Sequence, residues 1–149
     1  MNVVEKTTAL FEALGPIIDA ASVRFRPDAR SWSIALSGDA VVDAALDEAG
    51  ERLTFASSLP SPPPEAAAEH HALLLRCNFV AMRSGGFYAA LAPEGAPVLM
   101  FEQDAGRLDA ARLERIVLGL AEARKGWAAI ALDPGSTEAV PPGPVGIRV

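Results

Sequence analysis

His70 and His71 are the only histidines in the chain, and Cys77, its only cysteine, follows seven residues after His70. These are the side chains best suited to metal binding or nucleophilic chemistry. Neighbours on a helix point about 100° apart, so this pair cannot close on one metal as histidines at i and i+4 would. Glu69 stands beside them without completing an HExxH spacing. Cys77 lies in the most apolar part of its segment with no base next to it in sequence, the setting of an inert thiol. Asp43, Asp47 and Glu48 can line up beside a strand, where a hydrated sheet face explains them most simply. Arg83-Ser84-Gly85-Gly86 has the composition of a phosphate cradle, yet it follows a helical pattern and precedes a strand, the reverse of the usual order. The sequence holds no GxSxG, no Walker pattern and no CxxC pair. Trp32, Phe55 and Trp127 suit a core better than a ligand cage. The residues therefore point to a protein that binds, with no catalytic residue, metal or cofactor.

The bulk composition limits what it binds. The chain has 149 residues, half of them apolar, which suits one domain with a real core. Thirteen basic residues against nineteen acidic ones give a formal charge of −6, contrary to the clustered basic surface that nucleic acid requires. No apolar run approaches the roughly 18 residues of a membrane span. The amino-terminal stretch carries Glu5, Lys6 and Glu12, so it lacks the pattern of a signal peptide. A single cysteine excludes an internal disulfide and fits a reducing cytoplasm.

The elements that position these residues follow from periodicity. Asn2 and Glu5 make a capping-box pattern, and Val3, Leu10, Phe11 and Leu14 form one apolar stripe of a first helix. Gly15-Pro16 predicts its stop, and residues 17–30 read as irregular. Period-two alternation then predicts three strands, at 31–36, 40–47 and 52–58, joined by short turns into an antiparallel meander, with a helix as the alternative for the alanine-rich Val41–Leu46. The proline run from Pro60 to Pro64 is a stiff connector that opens a second helix over 65–82. Strands follow at 87–92 and 97–103 around Pro93-Glu94-Gly95. Asp109 caps a third helix lined by Leu113, Ile116, Leu120, Ala123, Trp127 and Ile130.

The expected fold class is α+β, an antiparallel twisted sheet of about five strands with three helices, in the order α-β-β-β-α-β-β-α. One domain covers 1–132. Residues 133–149, rich in Pro and Gly, read as a flexible tail. The second half of the second helix is apolar on nearly every side, so more than one face needs a cover. A second copy of the chain would supply it. The expected dimer residues are Leu75, Phe79, Met82, Phe87 and Tyr88. Surplus apolar positions on the first helix and sheet, Leu10, Phe11, Leu14, Trp32, Ile34, Leu53 and Phe55, nominate a surface for a binding partner, which the family resemblance described next implies is a client. A free strand edge is a second place for an extended partner backbone.

Read with its residues, this order resembles the type III secretion chaperones of the Tir-chaperone (CesT-like) family, over about residues 2–131. Leu74, Leu75 and Asn78 are similar to the family's Leu-Leu-x-x-Asn helix ending. Gly85-Gly86 before Phe87–Leu91 is similar to its Gly-Gly entry into a strand, and Val98–Gln103 to the next strand. Leu108-Asp109 leading to Leu113 and Trp127 resembles its last helix. The resemblance implies a homodimeric cytoplasmic bacterial chaperone without ATPase activity. It would hold the N-terminal chaperone-binding region of a secreted effector extended, soluble and competent for export, with the secretion-apparatus ATPase as a further partner. The alternative is a non-catalytic regulatory or scaffolding domain of the same fold that binds a folded partner.

Overall fold

A computed structural model describes residues 1–84 and 86–132, the side chains of 82–84 and 130–132 excepted. Chain order is α1 (Val3–Ile17), β1 (Ser22–Arg26), β2 (Ser31–Ala35), β3 (Val41–Leu46), β4 (Arg52–Ser58), α2 (Ala67–Ser84), β5 (Tyr88–Leu91), β6 (Pro97–Asp104) and α3 (Ala110–Leu132). The α+β class and the antiparallel sheet with three helices are as expected. The sheet gains a sixth strand, β1, from the stretch read as irregular. The tail assigned to 133–149 lies outside the described residues.

Local chemistry accounts for the helix starts. The Asn2 carboxamide accepts the Glu5 N–H at 2.8 Å, and the Glu5 carboxylate accepts the Asn2 N–H at 3.3 Å, closing the capping box. The Asp109 carboxylate accepts the Arg112 N–H at 2.7 Å at the start of α3. The stop after α1 is later than the Gly-Pro pair implied. Pro16 is accommodated in the last turn, and Asp19, not a glycine, takes the left-handed conformation with φ 53°. Gly15 serves another purpose. A Cβ there would stand 3.0 Å from the Val23 methyl, so its absence lets α1 lie close on β1.

The six strands run β1-β2-β3-β4-β6-β5, each antiparallel to its neighbours. Alternation divides them into two faces. Trp32, Ile34, Val42, Ala44, Leu46, Leu53, Phe55, Leu99 and Phe101 turn inward and are buried together with Phe11 and Leu14 of α1 and Leu113, Ile116, Val117 and Leu120 of α3. Helix α1 packs on β1 and β2, α3 on β3, β4 and β6, and α2 on β5. The opposite face carries small and charged groups: Arg24, Arg26, Ser31, Ser33, Asp43, Ala45, Thr54, Ala56 and Glu102. Among the described residues, no helix is long and apolar enough to cross a membrane.

Candidate protein-binding surfaces

The groups nominated for chemistry are committed elsewhere. His70 is buried, both ring nitrogens lack a hydrogen-bond partner among the described residues, and its ring meets that of His71 edge-on at 6.2 Å. Desolvation, with the His71 charge second, pushes its pKa down. Cys77 is buried too, and burial raises its thiol pKa, leaving less thiolate. Seven residues of helix separate the two by about 10 Å, beyond hydrogen-bond reach. Asp47 accepts the N–H groups of Glu51 at 2.8 Å and Arg52 at 3.2 Å, and these bonds lower its pKa. That carboxylate closes the β3–β4 turn. Asp43 accepts the Ser33 hydroxyl across two strands. Among the described residues, no three potential ligands gather as a metal site.

The nominated client side chains are mostly core. Phe11, Leu14, Trp32, Ile34, Leu53 and Phe55 are at most 3% exposed. Phe11 stacks on Trp32 at 5.9 Å and on Phe55 at 6.3 Å, while the Trp32 indole donates to the Thr8 hydroxyl at 2.9 Å. Since inward positions on successive strands share one face, these residues build the layer under α1 and α3 and offer no groove to a partner. Leu10 alone of the set is half-buried.

Accessible apolar surface near α1 belongs to β1, which the sequence reading missed. Val23 and Phe25 are half-buried on the core side of the strand, and Phe25 stacks on Trp32 at 5.2 Å. Ile17, at the end of α1, is 66% exposed. Among the described residues, strand β1 pairs with β2 on one side only and ends the sheet. The signal was the alternation of Val23 and Phe25 with Arg24 and Arg26, a run short enough to be masked by the following Pro27-Asp28 turn.

A second apolar surface lies on α2 and β5. Leu75 is 70% and Phe79 64% exposed, and Val80 and Leu91 add to it. His71, Leu74, Leu75, Ala89, Ala90 and Leu91 line a cavity of about 100 Å³, room for one apolar side chain and too small for a typical ligand. Of the other nominated dimer residues, Tyr88 is half-buried and donates to Glu102 at 3.4 Å. Phe87 is buried edge-on against Phe101, centroids 5.3 Å apart, so it supports the surface from beneath. The Met82 side chain lies outside the described residues.

The sequence profile of the Tir chaperone protein (CesT) family matches residues 28–128. No curated protein sequence matches. Several solved structures share the fold. A chain of the HopA1–SchA chaperone–effector complex matches with a TM-score of 0.68 at 19% identity, over 86% of this chain and 95% of that one. A chain of the ExsC–ExsE complex matches with a TM-score of 0.72 at 16% identity, over 88% and 97%. The third comes from the complex of the Yersinia pestis type III secretion chaperone SycH with a stable fragment of YscM2. Its TM-score is 0.55 at 14% identity, over 76% and 92%.

Proposed function

The chain belongs to the Tir chaperone protein (CesT) family, and on that basis we propose that it is a type III secretion chaperone. It binds the N-terminal region of a secreted effector in an extended form and keeps it soluble and competent for export, without catalysis and without ATP. Its fold neighbours include chains from chaperone–effector complexes, which supports an effector as the partner.

The observation that carries the reading is the open edge at β1. Backbone N–H and C=O groups on its outer side, which no strand among the described residues pairs, lie next to half-buried Val23 and Phe25, so an extended segment gains both main-chain hydrogen bonds and apolar contact. The exposed strip of Leu75, Phe79, Val80 and Leu91 on α2 and β5 is the two-fold interface of a homodimer. A cytoplasmic dimer of this kind delivers its client to the secretion-apparatus ATPase.

Co-expression with the N-terminal segment of a type III secreted effector tests the function. The expected result is a stable complex whose client segment shows no cooperative unfolding of its own. A partner bound only as an intact folded domain would overturn the chaperone reading in favour of a regulatory scaffold.

A further inference from the structure

Arg24 and Arg26 are exposed, and neither makes an ion pair or a side-chain hydrogen bond among the described residues. They project from the same face of β1, the face opposite Val23 and Phe25. Nearby cations are differently placed: Arg30 donates to the carbonyl oxygens of Asp47 and Glu48, and Arg52 pairs with Glu102 at 3.2 Å. The chain as a whole is acidic, at −6. Two unengaged arginines on its open sheet edge therefore stand against the overall sign.

We propose that the β1 edge selects extended segments in which acidic residues alternate with apolar ones. The inference rests on the chaperone reading and adds the chemistry of its client. A strand added beside β1 alternates its side chains between the two faces. Those on one face continue the apolar layer of Val23 and Phe25. Those on the other stand directly across from Arg24 and Arg26, where opposite charges stabilise a cross-strand pair and like charges destabilise it. A second copy offering its own β1 would bring arginines toward arginines. The same charges that admit an acidic client thus discourage self-pairing at the edge.

Three synthetic nine-residue peptides test this, with valine at alternate positions and glutamate, glutamine or lysine between. Their affinities for the full chain are measured by fluorescence anisotropy at low and high salt. The expected order is glutamate, glutamine, lysine, with the glutamate peptide about three- to tenfold tighter than the glutamine peptide at low salt and the difference shrinking as salt screens it. The field of a −6 protein favours the lysine peptide at long range, so the opposite order can arise only locally. In the double variant Arg24→Glu/Arg26→Glu, both positions being exposed, the order reverses while the melting temperature stays near the wild type. Equal affinities, an order unchanged in the double variant, or no binding by any peptide would each overturn the inference. Co-purification of an effector segment alongside a flat peptide order would leave the chaperone function standing and remove only this selectivity.

Discussion

The carboxamide of Asn78 pairs with both backbone polar groups of Ala89, donating to its carbonyl oxygen at 2.8 Å and accepting its N–H at 2.6 Å. Ala89 sits on β5, the strand at the opposite end of the sheet from β1. A side chain of α2 thus takes the place that the next strand would occupy. It fixes the helix to the sheet and occupies that edge at Ala89, whereas among the described residues no strand or side chain takes the corresponding place beside β1.

Replacing Asn78 with alanine removes both bonds and leaves two half-buried backbone groups without partners. The expected cost is about 2 kcal/mol, because unsatisfied groups lose their full desolvation energy. Denaturant unfolding reads the loss, and hydrogen exchange at the Ala89 amide should accelerate more than at β2 or β3. An unchanged exchange rate at Ala89 would show that the bonds do not hold this edge.

Stability should fall with acid because of His70. Its folded pKa lies below the ordinary value of 6.5, since burial disfavours the charged ring and the facing His71 adds repulsion on protonation. As pH drops below about 6.5 the unfolded chain takes up a proton that the folded chain refuses, so stability is fully present above that value and declines toward the folded pKa. Unfolding free energies at pH 7.5 and 5.5 measure the decline. In His70→Leu the difference should shrink, since the substitution also removes two unpaired ring nitrogens from the interior. An identical pH dependence in that variant would assign the decline to other groups.

Leu75 tests the two-fold interface. At 70% exposure it contributes little to the core of one chain, so Leu75→Glu should leave each chain folded. The wild-type chain should scatter light as a dimer and the variant as a monomer, both at micromolar concentration. A wild-type monomer, or a variant that stays dimeric, would place the interface elsewhere or dismiss it.

Much of this arrangement was legible in the sequence because the main elements are strongly periodic. The Trp32, Ile34 pattern and the Leu113, Ile116, Leu120 spacing each specify one element and one face. Asn78 was visible as part of a helix ending, but its partner Ala89 is eleven residues away and only the packed chain brings them together. Strand β1 was missed because two apolar residues between an aspartate-centred bend and Pro27 carry too little periodicity. It forms because β2 supplies a template and Gly15 lets α1 close over it. The burial of six of the seven nominated client residues was not legible for a related reason. Alternation says which residues share a face, and not whether that face meets helices or a partner.

Trp32 distinguishes depth from surface. Its indole is 1% exposed, stacked between Phe11 and Phe25, and hydrogen-bonded to Thr8. Trp32→Ala should therefore cost about 3–5 kcal/mol through the cavity it opens, enough to unfold much of a marginal domain. A surface contact would behave differently, keeping the melting temperature while weakening client binding. Phe25→Ser is the paired measurement. Being half-buried at the open edge, Phe25 should lose less stability than Trp32, and the folded variant should hold an extended client more weakly. Trp32→Ala that melts like the wild type, or Phe25→Ser that binds a client unchanged, would reverse the assignment of core to one and client edge to the other.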